Sequence, residues 1–488
     1  MKTIILCSLI LSLNAYTYTV PTPASRVTNI GPNLNKDYDA EESAIAFNSQ
    51  NQEYYIVFEA TQSLSGAGAA LTTEVEIYAQ RQNAITGANI GTPARISQMG
   101  PAGDTAYDAR NPSVAYNSAA NEYLIVWYGD TNVGTLEGEF EIWGKRINAA
   151  NGQNIGSQFR ISDMGPTANR SYDAIDPVVA YNSTNNNYLV VWRGEDGNLI
   201  NAAGEFEIYA QQISSTGNEI GTNDFRISDM GPNGDNLFDA YSPDIAYNAT
   251  SNEFLVVWYA DDNNAGHVSG EFEIYGQRIN AATGAEVGTN DFQISETGVP
   301  GFATRAARYP AVSWNSSRNE YLIVWSADPA TGAYIGNEFE IFGQVLSAAG
   351  AAIGPDDFVI SNMGPIGNNN FDAFKPATVY FPAHNAYAVS WRGDTNFDGE
   401  FEIYYQIIDE VTQNRLELPD IRVSHAGPDN SIAYDARRTS LASNPNSQSI
   451  HIIWEQEDET ASQTVGEFEI FAASITINND IIFKSGFE

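Results

Sequence analysis

The chain of 488 residues carries 61 Asp and Glu against 23 Lys and Arg, a formal net charge of −38, and this argues against nucleic acid or an anionic membrane surface as partner, since both would repel it. With 43% hydrophobic and 12% aromatic residues it has ample apolar surface for a large core. Its single cysteine, Cys7, lies in an N-terminal apolar run, so disulfides and thiolate metal sites are excluded from the mature chain.

At the start, Lys2 and the apolar run from Ile4 to Leu13, followed by small and polar residues, read as a secretory signal over residues 1–19. Cleavage is expected near Ala15 or Thr19. No later stretch reaches the roughly 18 apolar residues of a membrane helix. The expectation is a secreted protein at the cell surface, outside the cell or in the periplasm, without membrane insertion.

From there four landmarks recur in fixed order. An "RIS"-type strand opens at Arg26, Arg95, Arg160, Arg226, Gln293, Val359 and Arg422. Thirteen residues later in all seven units stands the aspartate of "YDA" or "FDA": Asp39, Asp108, Asp173, Asp239, Asp372 and Asp435, with Ala306 as the exception. A further 19 residues on, an apolar run ends in an aromatic: Phe58, Trp127, Trp192, Trp258, Trp325, Trp391 and Trp454. Last comes the first glutamate of "GEFEIYGQRI", at Glu74, Glu139, Glu205, Glu271, Glu338, Glu400 and Glu467.

Each unit of about 66 residues therefore holds four β-patterned runs separated by Gly and Asn turns, such as "PSVAY", "EYLIVW", "EFEIWGKRI" and "FRIS". A long fixed period of four strands is a propeller signature. The predicted fold is all-β, a single seven-bladed β-propeller over residues 20–488. Its blades are expected at about 36–100, 101–165, 166–231, 232–298, 299–364, 365–427 and 428–488. The seventh unit ends where its "RIS" strand should begin, and "SRVT" at residues 25–28 supplies that strand from the N-terminus, closing the ring. A competing possibility is that "DIIF", from Asp480, forms the strand as a local hairpin.

Propeller topology gathers three segments on one face: the "MGP…YDA" connection, the acidic residues after each tryptophan, and the leading Gly-Glu. Asp39, Asp108, Asp173, Asp239, Asp372 and Asp435 are candidate ligand-binding residues around the central opening, with turn formation or capping as their structural alternative. Blade 5 replaces the aspartate and adds Arg305 and Arg308, which either orient an anionic group of a ligand or relieve repulsion. In "DTNFDGE", Asp394, Asn396, Asp398 and Glu400 offer oxygens at alternate positions before and after a glycine, a pattern suited to Ca2+ and equally to a solvated loop. The paired glutamates of "GEFEI" read mainly as a clasp between blades. Being buried, they need partners, for which tryptophan N–H groups, backbone amides and the nearby glutamine suit every blade better than the "RIS" arginine.

The strings "NEYLIVW", "EIYGQRI" and "FRIS" resemble a repeat of secreted bacterial proteins, mostly uncharacterised, of the type "YLVVW…EIYGQR…FRIS". That resemblance implies the fold and export and carries no catalytic motif. The expected function is a non-catalytic binding or adhesion module for an extracellular glycan or protein ligand, monomeric, with an acidic face that Ca2+ supports. The alternative is a glycan-active hydrolase or lyase using two carboxylates at the central opening.

Overall fold

The apolar run ending in tryptophan forms the second strand of its sheet, as in Glu122–Gly129, Asn187–Gly194 and Glu253–Ala260. Strands buried on both faces read as near-continuous apolar runs, and Trp127, Trp192 and Trp258 are wholly buried. In the computed structural model these runs sit in six four-stranded sheets and one five-stranded sheet, and within each four-stranded sheet every strand pairs antiparallel with its neighbour in the sequence. Blade 3 is representative, with Ala174–Asn182, Asn187–Gly194, Glu207–Ser214 and Glu219–Arg226 from the inside outwards. The core lies between blades: Val57 and Ile77 of blade 1 pack with Ile125 and Trp127 of blade 2, and equivalent clusters follow around the ring. The chain is a seven-bladed β-propeller. The structure describes residues 15–19, 24–30, 38–61, 74–101, 104, 106–131, 138–165, 171–195, 204–232, 237–261, 270–296, 306–328, 336–395, 397–416, 419–429, 431–447, 449–457 and 467–480.

The N-terminal segment closes the ring. Ser25 and Arg26 pair antiparallel with Ala472 and Phe471 of the third strand of blade 7, Phe468–Asp480, and the Val27 amide donates to the Ile470 carbonyl at 2.7 Å. The fourth strands of blades 1 to 5 pair in two pieces across a register shift, as at Tyr209↔Arg226 and Gln212↔Ile220. In blade 7 the second piece is Ala15–Thr19, which pairs with Thr476–Asp480, so part of the segment read as a signal peptide occupies the sheet. Asp480 ends the long third strand, and the rest of "DIIF" lies outside the described residues.

The "RIS" element departs from its expected form, because the fourth strand begins earlier and stops at the arginine. Beyond it Ile161 and Ser162 both turn their amides to the Ile142 carbonyl. The serine is the partner that the second glutamate of "GEFEI" requires. Ser162 donates to Glu141 and accepts from the Ile142 amide at 2.7 Å, while the Met164 amide donates to Glu141 at 3.0 Å. Serine and a backbone amide serve Glu76, Glu207, Glu340 and Glu402 in the same way, and Thr28 with Ile30 serves Glu469. The clasp thus ties third strand to fourth strand within a blade. Ties between blades lie further out: the Asp163 amide donates to Asp224 at 2.9 Å, and Asp229 to Asp291 at 3.0 Å, each crossing to the next fourth strand.

Two predictions follow from these buried carboxylates. Thr28→Val keeps shape but strips Glu469 and the Ile470 amide, 2.8 Å from the hydroxyl, of a partner. The expected loss is about 1–3 kcal/mol, read as a lower urea midpoint; an unchanged midpoint would show that the N-terminal latch bears no load. Burial also raises Glu141 to about 8, Glu340 to about 7, and Asp224 and Asp291 each to about 7. Such groups bind a proton more tightly folded than unfolded, so their penalty vanishes below the unfolded value and is complete above the folded one. The melting temperature should rise on acidification from about pH 8 to about pH 5, and Glu141→Gln should flatten the upper part of that rise. A parental profile that falls over the same interval would contradict the assignment.

Candidate functional site

Each first strand starts at the "YDA" alanine and is broken by a bulge two residues later, as between Glu41 and Ala44, Arg110 and Ser113, and Arg308 and Ala311. The bulged residue is left-handed in all seven blades. Glu42, Asn111, Asp176, Ser242, Tyr309, Lys375 and Arg438 have φ between 46° and 56°, a conformation uncommon for residues other than glycine and strained for bulky ones. Five of the seven precede a proline (Pro112, Pro177, Pro243, Pro310 and Pro376), whose missing N–H removes one ladder bond from the bulge. These seven residues, one per blade, line a central cavity of about 570 Å³.

The six repeated aspartates frame this opening and carry a structural duty. Asp173 accepts from the Phe140 amide at 3.0 Å, Asp239 from Phe206 at 2.9 Å, Asp372 from Phe339 at 2.9 Å, Asp108 from Val75 at 3.2 Å and Asp39 from Phe468 at 2.9 Å. Each bond crosses from one blade to the one before it. Asp435 faces Phe401 in the same way. Burial raises Asp39 and Asp372 to about 6 each, against the lowering effect of those amides. Ala306 of blade 5 has no such side chain, and at this level its joint with blade 4 has the main-chain bond from Ala307 to Phe272, 2.8 Å.

The acidic residue after each tryptophan closes the loop to the third strand. Asp130 accepts from the Asp108 amide at 2.9 Å and the Gly138 amide at 2.8 Å; Asp394 accepts from Asp372 at 2.6 Å and Gly399 at 2.8 Å. The three segments expected on one face are therefore in direct contact there. Of the proposed calcium ligands, Asp394 is committed to these two amides, and Glu400 lies 3.5 Å from Arg422. Asp398 is exposed and Asn396 falls outside the described residues. Among the described residues no group of three or more His, Cys, Asp or Glu side chains could hold a metal ion. Arg305 also lies outside the described residues, whereas Arg308 stands at the channel mouth.

Three positions at this mouth break the sevenfold pattern. They are the bulged residue, the residue before it (Glu41, Arg110, Ile175, Tyr241, Arg308, Phe374 and Arg437), and the residue opposite that one on the second strand (Glu59, Tyr128, Arg193, Tyr259, Ser326, Arg392 and Glu455). Around blades 7, 1 and 2 their charges pair off: Arg438 lies 2.5 Å from Glu42, Arg437 3.1 Å from Glu455, and Arg110 2.9 Å from Asp108. Asp176 accepts from Asn111 at 2.9 Å and lies 3.5 Å from Arg193. A neighbouring pocket of about 320 Å³ is lined by Asp39, Glu41, Glu59, Asp108 and Arg110. Of these positions sequence reasoning singled out Arg308 alone as a candidate ligand residue, through the departure of blade 5 from the repeat; unlikeness at the other aligned positions was the same available signal.

No family model and no curated protein matches this chain. Among solved structures it is similar to a prolyl endopeptidase, with 10% identity and TM-score 0.43 over 91% of this chain and 51% of the other. It is also similar to Trypanosoma rangeli sialidase, with 8% identity and TM-score 0.44 over 94% and 58%, and to the GH93 α-L-arabinofuranosidase of Fusarium graminearum, with 12% identity and TM-score 0.43 over 76% and 95%. This chain spans about half the length of the prolyl endopeptidase.

Proposed function

We propose that the protein is a secreted binding propeller, of the kind its repeat strings resemble, that recognises one extracellular glycan or protein ligand at the mouth of the central channel without transforming it. One observation supports this above the others: the scaffold residues repeat from blade to blade, while three positions per blade at the channel mouth diverge, the bulged one alone into Glu, Asn, Asp, Ser, Tyr, Lys and Arg. A purely structural ring has no need of seven unlike side chains held in strained backbone. A single asymmetric ligand in the channel does. The mouth carboxylates are occupied in ways that suit a binding surface: Glu59 accepts from the Asn111 amide at 2.8 Å and lies 3.6 Å from Arg110, and Glu42 pairs with Arg438. Asp394 and Glu400 are likewise engaged, so the proposal is made without calcium.

The hydrolase alternative has one observation of its own. Burial raises Glu59 to about 7, a value suited to a general acid, and it shares its pocket with Asp39 and Asp108.

A glycan array probed with the wild-type protein, together with the Asn111→Ala, Asp176→Ala and Ser242→Ala triple variant, tests the proposal. Saturable binding by the wild type that is lost in a variant of similar melting temperature is expected. Binding that survives the three substitutions, or turnover of an array glycan that Glu59→Gln abolishes, would overturn it.

A further inference from the structure

We propose that the joint between blades 5 and 6 holds a subsite for the oxyanion of an acidic sugar, a carboxylate or sulfate on a sugar ring, bound by Arg308, Lys375 and Arg392. This rests on the binding function proposed above and specifies its ligand class.

The three cations line one pocket of about 340 Å³ together with Tyr309, Phe339 and Phe374, and no carboxylate among the described residues lines it. In a chain with 23 basic residues against 61 acidic ones, such a concentration of one sign needs a cause. None of the three makes an ion pair within 4 Å among the described residues, in contrast to Arg110, Arg437 and Arg438 at equivalent positions, although Asp435 and Asp394 act on Arg392 and Glu42 and Glu455 on Lys375 at longer range.

The missing partners trace to particular replacements. Arg110 of blade 2 is neutralised by Asp108, two residues earlier, and faces Glu59 of the neighbouring blade. Arg308 occupies the same place in blade 5, but two residues earlier stands Ala306. On the second strand, Glu59 and Glu455 give way to Ser326 in blade 5 and Arg392 in blade 6. The second-strand carboxylate is confined to blades 7 and 1, and of the blades without it only blade 5 also lacks the repeated aspartate.

Aromatic rings support the cations from behind. The Arg392 guanidinium lies 3.9 Å from the Phe401 ring centre, that of Arg308 4.9 Å from Phe272, and the Lys375 ammonium 5.2 Å from Tyr309. Cation–π contact holds such groups in place without neutralising them. Arg308 Nε and Arg392 Nε are both buried and lack a hydrogen-bond acceptor, which is costly for a charged donor. An oxyanion supplies acceptors to a planar guanidinium fork. Burial also lowers Lys375 and Arg392 from their ordinary values, against the raising effect of Glu42 and Glu455 on the first and of Asp435 and Asp394 on the second. Phe339 and Phe374, 5.0 Å apart, offer the apolar wall that one face of a sugar ring packs against. The volume sits at the lower end of the roughly 300–1,000 Å³ of small-ligand pockets, enough for one ring.

Calorimetry with D-glucuronate, galactose 6-sulfate and neutral glucose as probes tests this on the full chain. At least one charged probe should bind saturably, at least about tenfold tighter than glucose, and more weakly as salt is raised. Glucuronate alone identifies the carboxylate as the ligand group, the sulfated sugar alone identifies the sulfate, and both together identify the shared oxyanion. Arg392→Gln and Arg308→Gln should each weaken binding about tenfold or more at an unchanged melting temperature, while Arg278→Gln, a charge removal at the opposite face where Arg278 pairs with Glu253 at 2.7 Å, should not. Should either pocket variant unfold, the other with Lys375→Met decides. No saturation by either charged probe at about 10 mM, or affinity retained in the variants, overturns the subsite. A glycan-array signal lost in the Asn111, Asp176 and Ser242 variant while neither charged probe binds would refute the subsite and leave the binding function standing.

Discussion

A carboxylate buried on the third strand of every blade is the constraint from which most of this structure follows. Isolated burial of such a charge would cost several kcal/mol, so the chain must bring donors to it. It does so by ending the fourth strand at the arginine and bending the next two residues back, which places a hydroxyl and then an amide on the two carboxylate oxygens. That bend launches the connection to the next blade. The clasp therefore fixes both the outer edge of one blade and the point from which its successor begins. In blade 7 the same chemistry is completed by Thr28 and Ile30 from the opposite end of the chain, and a ring-closing contact spanning more than 400 positions is only a variation on a local one.

Once identical clasps and inter-blade aspartate bonds have set the geometry, the innermost strands are free to vary where they bear no scaffold duty. The bulge makes that freedom useful. A regular strand would alternate its side chains between the two faces of the sheet; an extra residue in left-handed backbone breaks the alternation and gives every blade one side chain on the channel. Holding Tyr309, Lys375 and Arg438 at positive φ is costly for residues with branched or long side chains. It is sustained by pairing on either side of the bulge, at Arg308↔Ser326 and Ala311↔Val324 in blade 5.

Much of this architecture was legible in the sequence, for a physical reason. Fixed spacings between landmarks report connections of fixed length, and those determine blade number and the N-terminal closure. The fate of the glutamates was only half legible. Burial on a sandwiched strand made a partner necessary, and Gln293 and Val359 showed that arginine could not be obligatory. Gln293 keeps the bond to the Ser295 carbonyl, 2.8 Å, that the arginines also make to theirs, whereas Arg26, Arg95, Arg226 and Arg422 additionally pair with the buried glutamate. The serine of "RIS" is not legible as that partner because a strand pattern leaves the direction of its hydroxyl open, and only the end of the strand at the arginine turns it to the glutamate. The bulge was hidden because the sign of φ leaves no apolar period, although the prolines at 112, 177, 243, 310 and 376 marked where a ladder bond could not form.

Seen through those prolines, the charge distribution around the channel acquires a direction. On the side of blades 7, 1 and 2, each basic group lies beside a carboxylate that the repeat already supplied, so the local field is small and the side chains are mutually held. At blade 5 the repeat fails at Ala306, and the cations beside it rest against rings instead of carboxylates. A ring attracts a cation through its quadrupole but leaves the positive charge uncancelled beyond it. Field lines from unpaired cations in a low-dielectric pocket are poorly screened, and here they emerge into the mouth of a channel whose remaining surface is acidic or neutralised. Under the proposed role, an anion entering from solvent would meet repulsion from the net charge of the protein and, among the described residues, attraction at this joint. If the proposed subsite takes an anion, that combination would favour one oriented mode of approach over adsorption anywhere along the rim, with selectivity arising beside the blade where the repeat is least faithful to itself.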